Sequence, residues 1–309
     1  MLSVKISELN LELDSPIILA SGILGVSKYT LKNVIDAGAG AVTTKSIGPQ
    51  SRKGYKNPSV FEVFPETFIN SVGLANPGVN EFANKIKEMK DFNFPLIVSI
   101  FGSTEKSYVN VAKKVEDAGA DAIELNISCP HAEVSSIGIS PELTFSLVKR
   151  IRKEISVPIL TKLNPNVTKI TDIALAAEKG GANAVVAINT LAAMVIDINV
   201  QRPILSHGSG GLSGRAIHPI AVKKVYDLYQ ALTIPIIGCG GIFNYEDIIE
   251  FFLAGASAVQ IGTALYKGLG VITQINDNLK TYLNKNNYTS ISELTGLAHK
   301  HKTQEVPDF

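Results

Sequence analysis

Between residues 16 and 261 the strongly apolar positions gather into eight short runs, and two different signals introduce them in strict alternation. One is a proline: Ser15-Pro16-Ile-Ile, Phe94-Pro95-Leu-Ile, Val157-Pro158-Ile-Leu and Ile234-Pro235-Ile-Ile. The other is a glycine among small residues: Ala37-Gly38-Ala-Gly-Ala-Val, Ala118-Gly119-Ala-Asp-Ala-Ile, Gly180-Gly181-Ala-Asn-Ala-Val and Ala254-Gly255-Ala-Ser-Ala-Val. Proline at the first residue of a strand forfeits no ladder bond, and glycine just past a helix takes the left-handed conformation that closes it. The runs predict strands at 17–20, 42–44, 96–100, 123–125, 159–163, 185–188, 236–238 and 259–261. They are short and continuously apolar, as strands covered on both faces are. Helical spacing of about 3.6 fills the gaps, as in Val109, Val111, Ala112, Val115 and in Leu143, Leu147, Val148, Ile151.

Eight β–α units in succession, each with a right-handed crossover, close into a (β/α)8 TIM barrel. An open doubly wound sheet offers no reason for a fourfold alternation of two repeat types. No composition shift marks a linker, so residues 1–309 are expected to form one domain. Segments 46–77 and 191–214 interrupt the rhythm after the second and sixth strands, and a tail follows from about Thr281. The first two leave strands at their C-terminal ends and should fold over the barrel mouth as lid and wall.

Composition narrows the function. With 29 basic and 28 acidic residues the charge is balanced, which argues against a nucleic-acid groove or a polybasic membrane surface. Two cysteines, Cys129 and Cys239, are too few for the four thiolates of an iron–sulfur cluster and look nothing like a disulfide framework. The N-terminus alternates like a short strand without an apolar signal core, and no run reaches the length of a membrane helix, so a cytoplasmic protein is expected.

In a parallel barrel the residue just past each strand lines the ligand site. Here these are Ser21-Gly22, Lys45-Ser46, Ser99, Asn126 with Cys129, Lys162, Asn189-Thr190, Gly240-Gly241 and Gly262-Thr263. The set holds donors and glycines but neither carboxylate nor histidine pair, which disfavours a metal-dependent hydrolase. Glycines concentrated after the seventh and eighth strands suit a phosphate-bearing ligand. Lys45 and Lys162 could each form a Schiff base or act as a fixed charge. Lys162, inside Ile159-Leu-Thr-Lys-Leu163, is a poor candidate for a solvated surface lysine.

The most informative stretch is Glu124-Leu-Asn-Ile-Ser-Cys129-Pro130-His131. Ile123, Leu125 and Ile127 alternate with Glu124, Asn126 and Ser128, the period of a half-buried strand, until Pro130 ends it. One amide, one hydroxyl and one thiol therefore arrive together at a strand's C-terminal edge.

Asn70-Ser-Val-Gly-Leu74, Asn126-Ile-Ser-Cys-Pro130, Lys162-Leu-Asn-Pro-Asn-Val-Thr168, Ile188-Asn-Thr-Leu191, Gly210-Gly-Leu-Ser-Gly214 and Gly240-Gly-Ile242 span almost the whole chain. In this order they resemble the motifs of class 1 dihydroorotate dehydrogenases, and most of all the catalytic subunit of the NAD-linked type. The resemblance implies an FMN enzyme that oxidises dihydroorotate to orotate in pyrimidine synthesis. Cys129 would be the base that removes the C5 proton, with hydride passing from C6 to flavin N5. Lys162 would stabilise the reduced flavin at its N1/O2 edge, and Lys45 would meet both flavin and substrate carboxylate. Asn70, Asn126, Asn189 and Thr190, with the backbone of Ser71, Val72, Gly73 and Leu74, would bind substrate. Ser21, Ser46, Ser99, Asn126, Ile188 and Gly214 would contact the flavin, and Gly240, Gly241, Gly262 and Thr263 its phosphate region. A homodimer is also implied, together with a second subunit carrying FAD and a [2Fe-2S] cluster to collect the electrons.

One departure stands out. After Cys-Pro the family usually shows Asn and then a Gly-Gly pair, whereas here the run is His131-Ala-Glu-Val-Ser-Ser-Ile-Gly138. His131 thus stands where an asparagine would touch substrate, or else it caps the loop. His207, His218, His299 and His301 read as surface or packing residues and Cys239 as a small core filler. The competing readings are a related flavin barrel using fumarate or another acceptor, a lysine Schiff-base aldolase barrel, and a barrel that only binds a partner.

Overall fold

The computed structural model describes residues 1–127 and 137–300. Eight parallel strands close into a barrel: β1 (Ile17–Leu19), β2 (Ala41–Thr43), β3 (Leu96–Ile100), β4 (Ala122–Asn126), β5 (Ile159–Lys162), β6 (Ala184–Ala187), β7 (Ile236–Cys239) and β8 (Ala258–Ile261). Each pairs with its sequence neighbours, and β8 closes on β1. The strands lie where the apolar runs predict them, to within a residue at either end. Helices α1 (Lys28–Asp36), α2 (Val79–Met89), α3 (Glu105–Asp117), α4 (Pro141–Arg152), α5 (Ile170–Gly180), α6 (His218–Ala231), α7 (Tyr245–Ala254) and α8 (Gly270–Lys285) follow them in order.

The alternation of proline and glycine signals has a hydrogen-bonding basis. Proline cannot donate, but its carbonyl still accepts. Val42 N–H donates to Pro95 O (3.1 Å), Ile123 to Pro158 (2.9 Å), Val185 to Pro235 (3.1 Å) and Val259 to Pro16 (2.9 Å). In return Gly40, Asp121, Asn183 and Ser257 donate to the first residues of the proline-type strands, Ile17, Leu96, Ile159 and Ile236, at 2.8–3.0 Å. Every strand begins one residue ahead of the next around the barrel, as where Ile18 faces Ala41, Val42 faces Leu96 and Ile97 faces Ala122, and the two signals open alternate strands of this even stagger. Gly38, Gly119, Gly181 and Gly255 all have φ between +101° and +118°, a region that L side chains rarely adopt. Two of the odd strands start under a carboxylate clamp. Glu116 accepts from Ser156 N and Oγ (both 2.6 Å) and Val157 N (3.1 Å). Glu178 accepts from Thr233 N (2.8 Å), Thr233 Oγ1 (2.7 Å) and Ile234 N (3.1 Å).

The two insertions are not independent loops. Strands Val60–Phe64 and Thr67–Asn70 from the first join Gly210–Gly214 and Leu191–Ala193 from the second in one four-stranded antiparallel sheet. Sequence reading placed both at the mouth but missed this pairing. Arg215 fastens the sheet to the barrel wall. Its guanidinium reaches both oxygens of Asp247 (2.9 and 2.8 Å) at the start of α7 and Glu66 Oε2 (3.1 Å) in the hairpin turn. The expected N-terminal strand is there, as a hairpin of Val4–Ile6 with Leu11–Leu13 whose inward residues are buried. The tail begins later than expected, because α8 runs on to Lys285; beyond it Ile291 N–H donates to Met1 O at 3.0 Å. No helix among the described residues is long and apolar enough to cross a membrane.

Candidate functional site

The C-terminal ends of β1–β4 bring together a chain of small polar groups. Ser21 Oγ lies 3.3 Å from Ser46 Oγ, Ser46 Oγ lies 2.9 Å from Ser99 Oγ, and Asn126 Nδ2 donates to Ser46 Oγ at 3.0 Å. Ser46 and Ser99 are buried. Tyr108, from α3, donates its phenol to the Asn126 carbonyl at 2.8 Å and so braces the end of β4. Four residues that share no sequence neighbourhood thus meet because consecutive parallel strands end side by side.

A second polar chain crosses the barrel interior. The Lys162 ammonium donates to Gln260 Oε1 (2.6 Å), and Gln260 Nε2 donates to Glu124 Oε2 (2.7 Å) and Thr43 Oγ1 (3.3 Å). Lys162 is 5% exposed, Gln260 1% and Glu124 0%. Lys162 is therefore no surface residue, as its strand context predicts. Glu124 corrects one expectation: the polar face of its strand is turned not to solvent but into the barrel. Glu124 Oε1 and Thr161 Oγ1 are buried without a hydrogen-bond partner among the described residues.

Lys45 follows β2 and is partly buried, not freely solvated. Burial pushes its ammonium below the ordinary lysine range. No carboxylate among the described residues pairs with it. A cation that has lost water without gaining an anion is costly to the fold by itself, so its natural complement is an anionic ligand.

The insertion sheet and β6 converge on a third group. Asn70 Nδ2 donates to Gly211 O (3.2 Å), and a Cβ on Gly211 would lie 2.1 Å from Thr190 Oγ1, so the insertion sheet and the segment after β6 pack closely there. Asn189 Oδ1 accepts from Thr190 N (2.8 Å), and Asn166, not singled out from the sequence, donates to Thr190 O (3.2 Å) and accepts from Ala192 N (2.8 Å). In the run Ser71, Val72, Gly73, Leu74, the Ser71 N–H is already given to Ser59 O (2.8 Å), while Gly73 and Leu74 have φ of +75° and +54°. Ile188 is buried, its N–H given to Cys239 O at 2.8 Å.

Glycines form the last group. A Cβ on Gly241 (φ +66°) would lie 2.7 Å from Gly214 O, and one on Gly214 (φ +91°) 2.0 Å from Glu66 O. The end of β7 and the insertion sheet therefore touch backbone to backbone, and beside them a Cβ on Gly240 would lie 2.7 Å from Ala221 Cβ. Gly262 faces Ala20 across the seam, and Thr263 opens the 3-10 turn Thr263–Lys267.

Cys129, His131 and His301 lie outside the described residues. His218 is a packing residue, bonded to Glu250 (2.8 Å), and His207 and His299 stack on Tyr55 and Tyr226. Cys239 is partly exposed and only borders the core, which corrects the expectation of a core filler. Glu124 and Gln260, which join Lys162 in the buried chain, were not singled out as site residues from the sequence. The signal for Gln260 was a single polar residue within an otherwise apolar barrel strand, Ala258-Val-Gln-Ile261, and that for Glu124 a charged residue mid-strand in Ala122-Ile-Glu-Leu-Asn126.

The family model described as dihydroorotate dehydrogenase matches residues 1–283. The chain is 48% identical over 292 residues to the protein of Methanocella arvoryzae named dihydroorotate dehydrogenase B (NAD(+)), catalytic subunit, covering 94% of this chain and 96% of that one. It is 48% identical over 302 residues to the protein of that name from Pyrococcus furiosus, covering 97% and 100%. Among solved structures, a dihydroorotate dehydrogenase from Eimeria tenella in complex with ferulenol superposes with a TM-score of 0.85 at 23% identity, over 97% of this chain and 89% of that one. That likeness bears on the fold.

Proposed function

Because the chain belongs to the dihydroorotate dehydrogenase family, we propose that it oxidises dihydroorotate to orotate in pyrimidine synthesis, as the catalytic subunit of an NAD-linked enzyme. The observation that carries this reading is the pair of lysines at the barrel mouth. Lys162 is buried with its ammonium on the neutral Gln260 amide, and Lys45 is partly buried with no carboxylate beside it among the described residues, so each can offer its charge to an anionic group.

The residues suit FMN. Lys162 can face the electron-rich edge of an isoalloxazine, and the Ser21–Ser46–Ser99–Asn126 chain offers both donors and acceptors to its polar rim. Gly214, Gly240, Gly241, Gly262 and Thr263 supply close backbone and a hydroxyl for the phosphate end, with Ile188 as an apolar contact. Bound FMN would supply an acceptor for the hydride leaving C6 of the substrate. Cys129 would take the C5 proton: a thiolate of modestly lowered pKa works near neutral pH and leaves no buried charge once protonated. Lys45 would hold the substrate carboxylate. Asn70, Asn126, Asn189 and Thr190, with the backbone of Ser71–Leu74, would hold the pyrimidine amides and fix which ring face meets the acceptor. Lys162 would stabilise negative charge as it develops beside it.

With two cysteines, this chain has too few thiolates for a four-cysteine iron–sulfur cluster. Electrons would leave through a second subunit carrying FAD and a [2Fe-2S] cluster, and the barrel would work as a cytoplasmic homodimer of single-domain chains. The test is to purify the chain, add FMN and follow the flavin absorbance. Bleaching by dihydroorotate under anaerobic conditions is expected. A chain that takes up no flavin, or holds flavin that dihydroorotate cannot reduce, refutes the reading.

A further inference from the structure

The Lys162–Gln260–Glu124 chain does more than fill the barrel. Lysine can only donate, so the Gln260 amide must turn Oε1 to it, which leaves Nε2 for Glu124 and Thr43. The amide therefore has one orientation, set from both ends. Glu124 uses a single oxygen in this chain, and its other oxygen has no partner among the described residues. Its contact with the Lys162 ammonium runs only through the Gln260 amide, and at zero exposure water does little to screen any charge it carries.

We propose that Gln260 and Glu124 are positioning residues: Gln260 aims the Lys162 ammonium at the flavin, and Glu124 is a buried counter-charge that sets how strongly the lysine favours the reduced cofactor. This rests on the FMN reading above. The neutral amide matters because of what it keeps apart. A carboxylate in direct contact with Lys162 would cancel its field, whereas one set back behind a glutamine holds the ammonium in place and leaves most of the field directed into the site.

The test uses the full chain loaded with FMN, and the readout is the midpoint potential of the bound flavin, followed spectroscopically against reference dyes. Glu124→Gln removes the counter-charge and should raise the midpoint. Gln260→Glu brings a carboxylate against Lys162 and should lower it. The exchange Glu124→Gln with Gln260→Glu keeps total charge, volume and the hydrogen-bond chain but moves the charge next to the lysine, so its midpoint should also fall below that of the wild type. Gln260→Glu should in addition slow flavin reduction by dihydroorotate about tenfold, with KM little changed.

A role confined to packing predicts that the exchange restores the wild-type midpoint, and that result overturns the proposal. So do unchanged midpoints in Glu124→Gln and the exchange when both melt cooperatively. Should Glu124→Gln fail to fold, the exchange and Gln260→Glu still decide the matter. A wild-type chain that binds no FMN overturns the functional reading itself, whereas FMN bound with a midpoint sensitive to Lys162→Gln but not to these variants overturns the positioning role alone.

Discussion

Replacing Lys45 by methionine separates the cost of the site from its use. Methionine keeps most of the apolar stem and removes the ammonium, whose burial lowers its pKa and which no carboxylate among the described residues offsets. The ligand-free chain should therefore be stabilised, by about 1 kcal/mol at most because the group keeps part of its water. Unfolding a chain of this size releases on the order of 0.6 kcal/mol per kelvin, so the melting temperature should rise by about 1–2 °C. Orotate binding should move the other way. Loss of a charge-assisted contact worth about 1.5–3 kcal/mol weakens it roughly 10- to 100-fold.

The pH dependence gives a second handle on Lys45. Its folded pKa lies below the unfolded value, so between the two the unfolded chain binds more protons and stability rises with pH. That rise should be absent in Lys45→Met. A bound carboxylate favours the protonated lysine, so orotate affinity should fall as pH climbs through the lowered value. Melting of the FMN-free chain and orotate titration of the flavin spectrum measure both effects. A variant that melts several degrees lower, or binds orotate within twofold of the wild type, refutes the assignment of Lys45 as an anion-binding group.

Three further outcomes are expected. Cys129→Ala should stop flavin reduction by dihydroorotate while FMN stays bound; unchanged single-turnover reduction excludes the cysteine as base. Gly214→Ala would set a methyl 2.0 Å from Glu66 O at a φ of +91° and should cost about 2–4 kcal/mol, read as a lower melting temperature together with weaker FMN retention. Burial pushes the Glu116 carboxyl up, but hydrogen bonds from Ser156 and Val157 outweigh it and hold the group below the ordinary carboxylate range. Its contribution to stability is thus present above the unfolded pKa and lost as pH falls through the folded one. Glu116→Gln should melt below the wild type at pH 7, the gap should close in acid, and a gap independent of pH contradicts this.

The sequence alone determined the barrel and the place of its site. Proline at a strand start and glycine past a helix act on backbone geometry within a few residues, so Pro16 and Gly38 can be read without knowing what lies across the fold. Parallel strands that close in sequence order put their C-terminal ends at one mouth, and Ser46, Ser99, Asn126 and Lys162 follow from that rule. Only the tertiary structure decided that residues 60–70 and 191–214 form one sheet, because the Asn70–Gly211 pairing joins positions 141 apart and nothing local encodes its register. It alone turned Glu124 inward to meet Gln260. An alternating strand reads the same whether its polar face looks to water or into a barrel, and closure of the sheet is what removes the water.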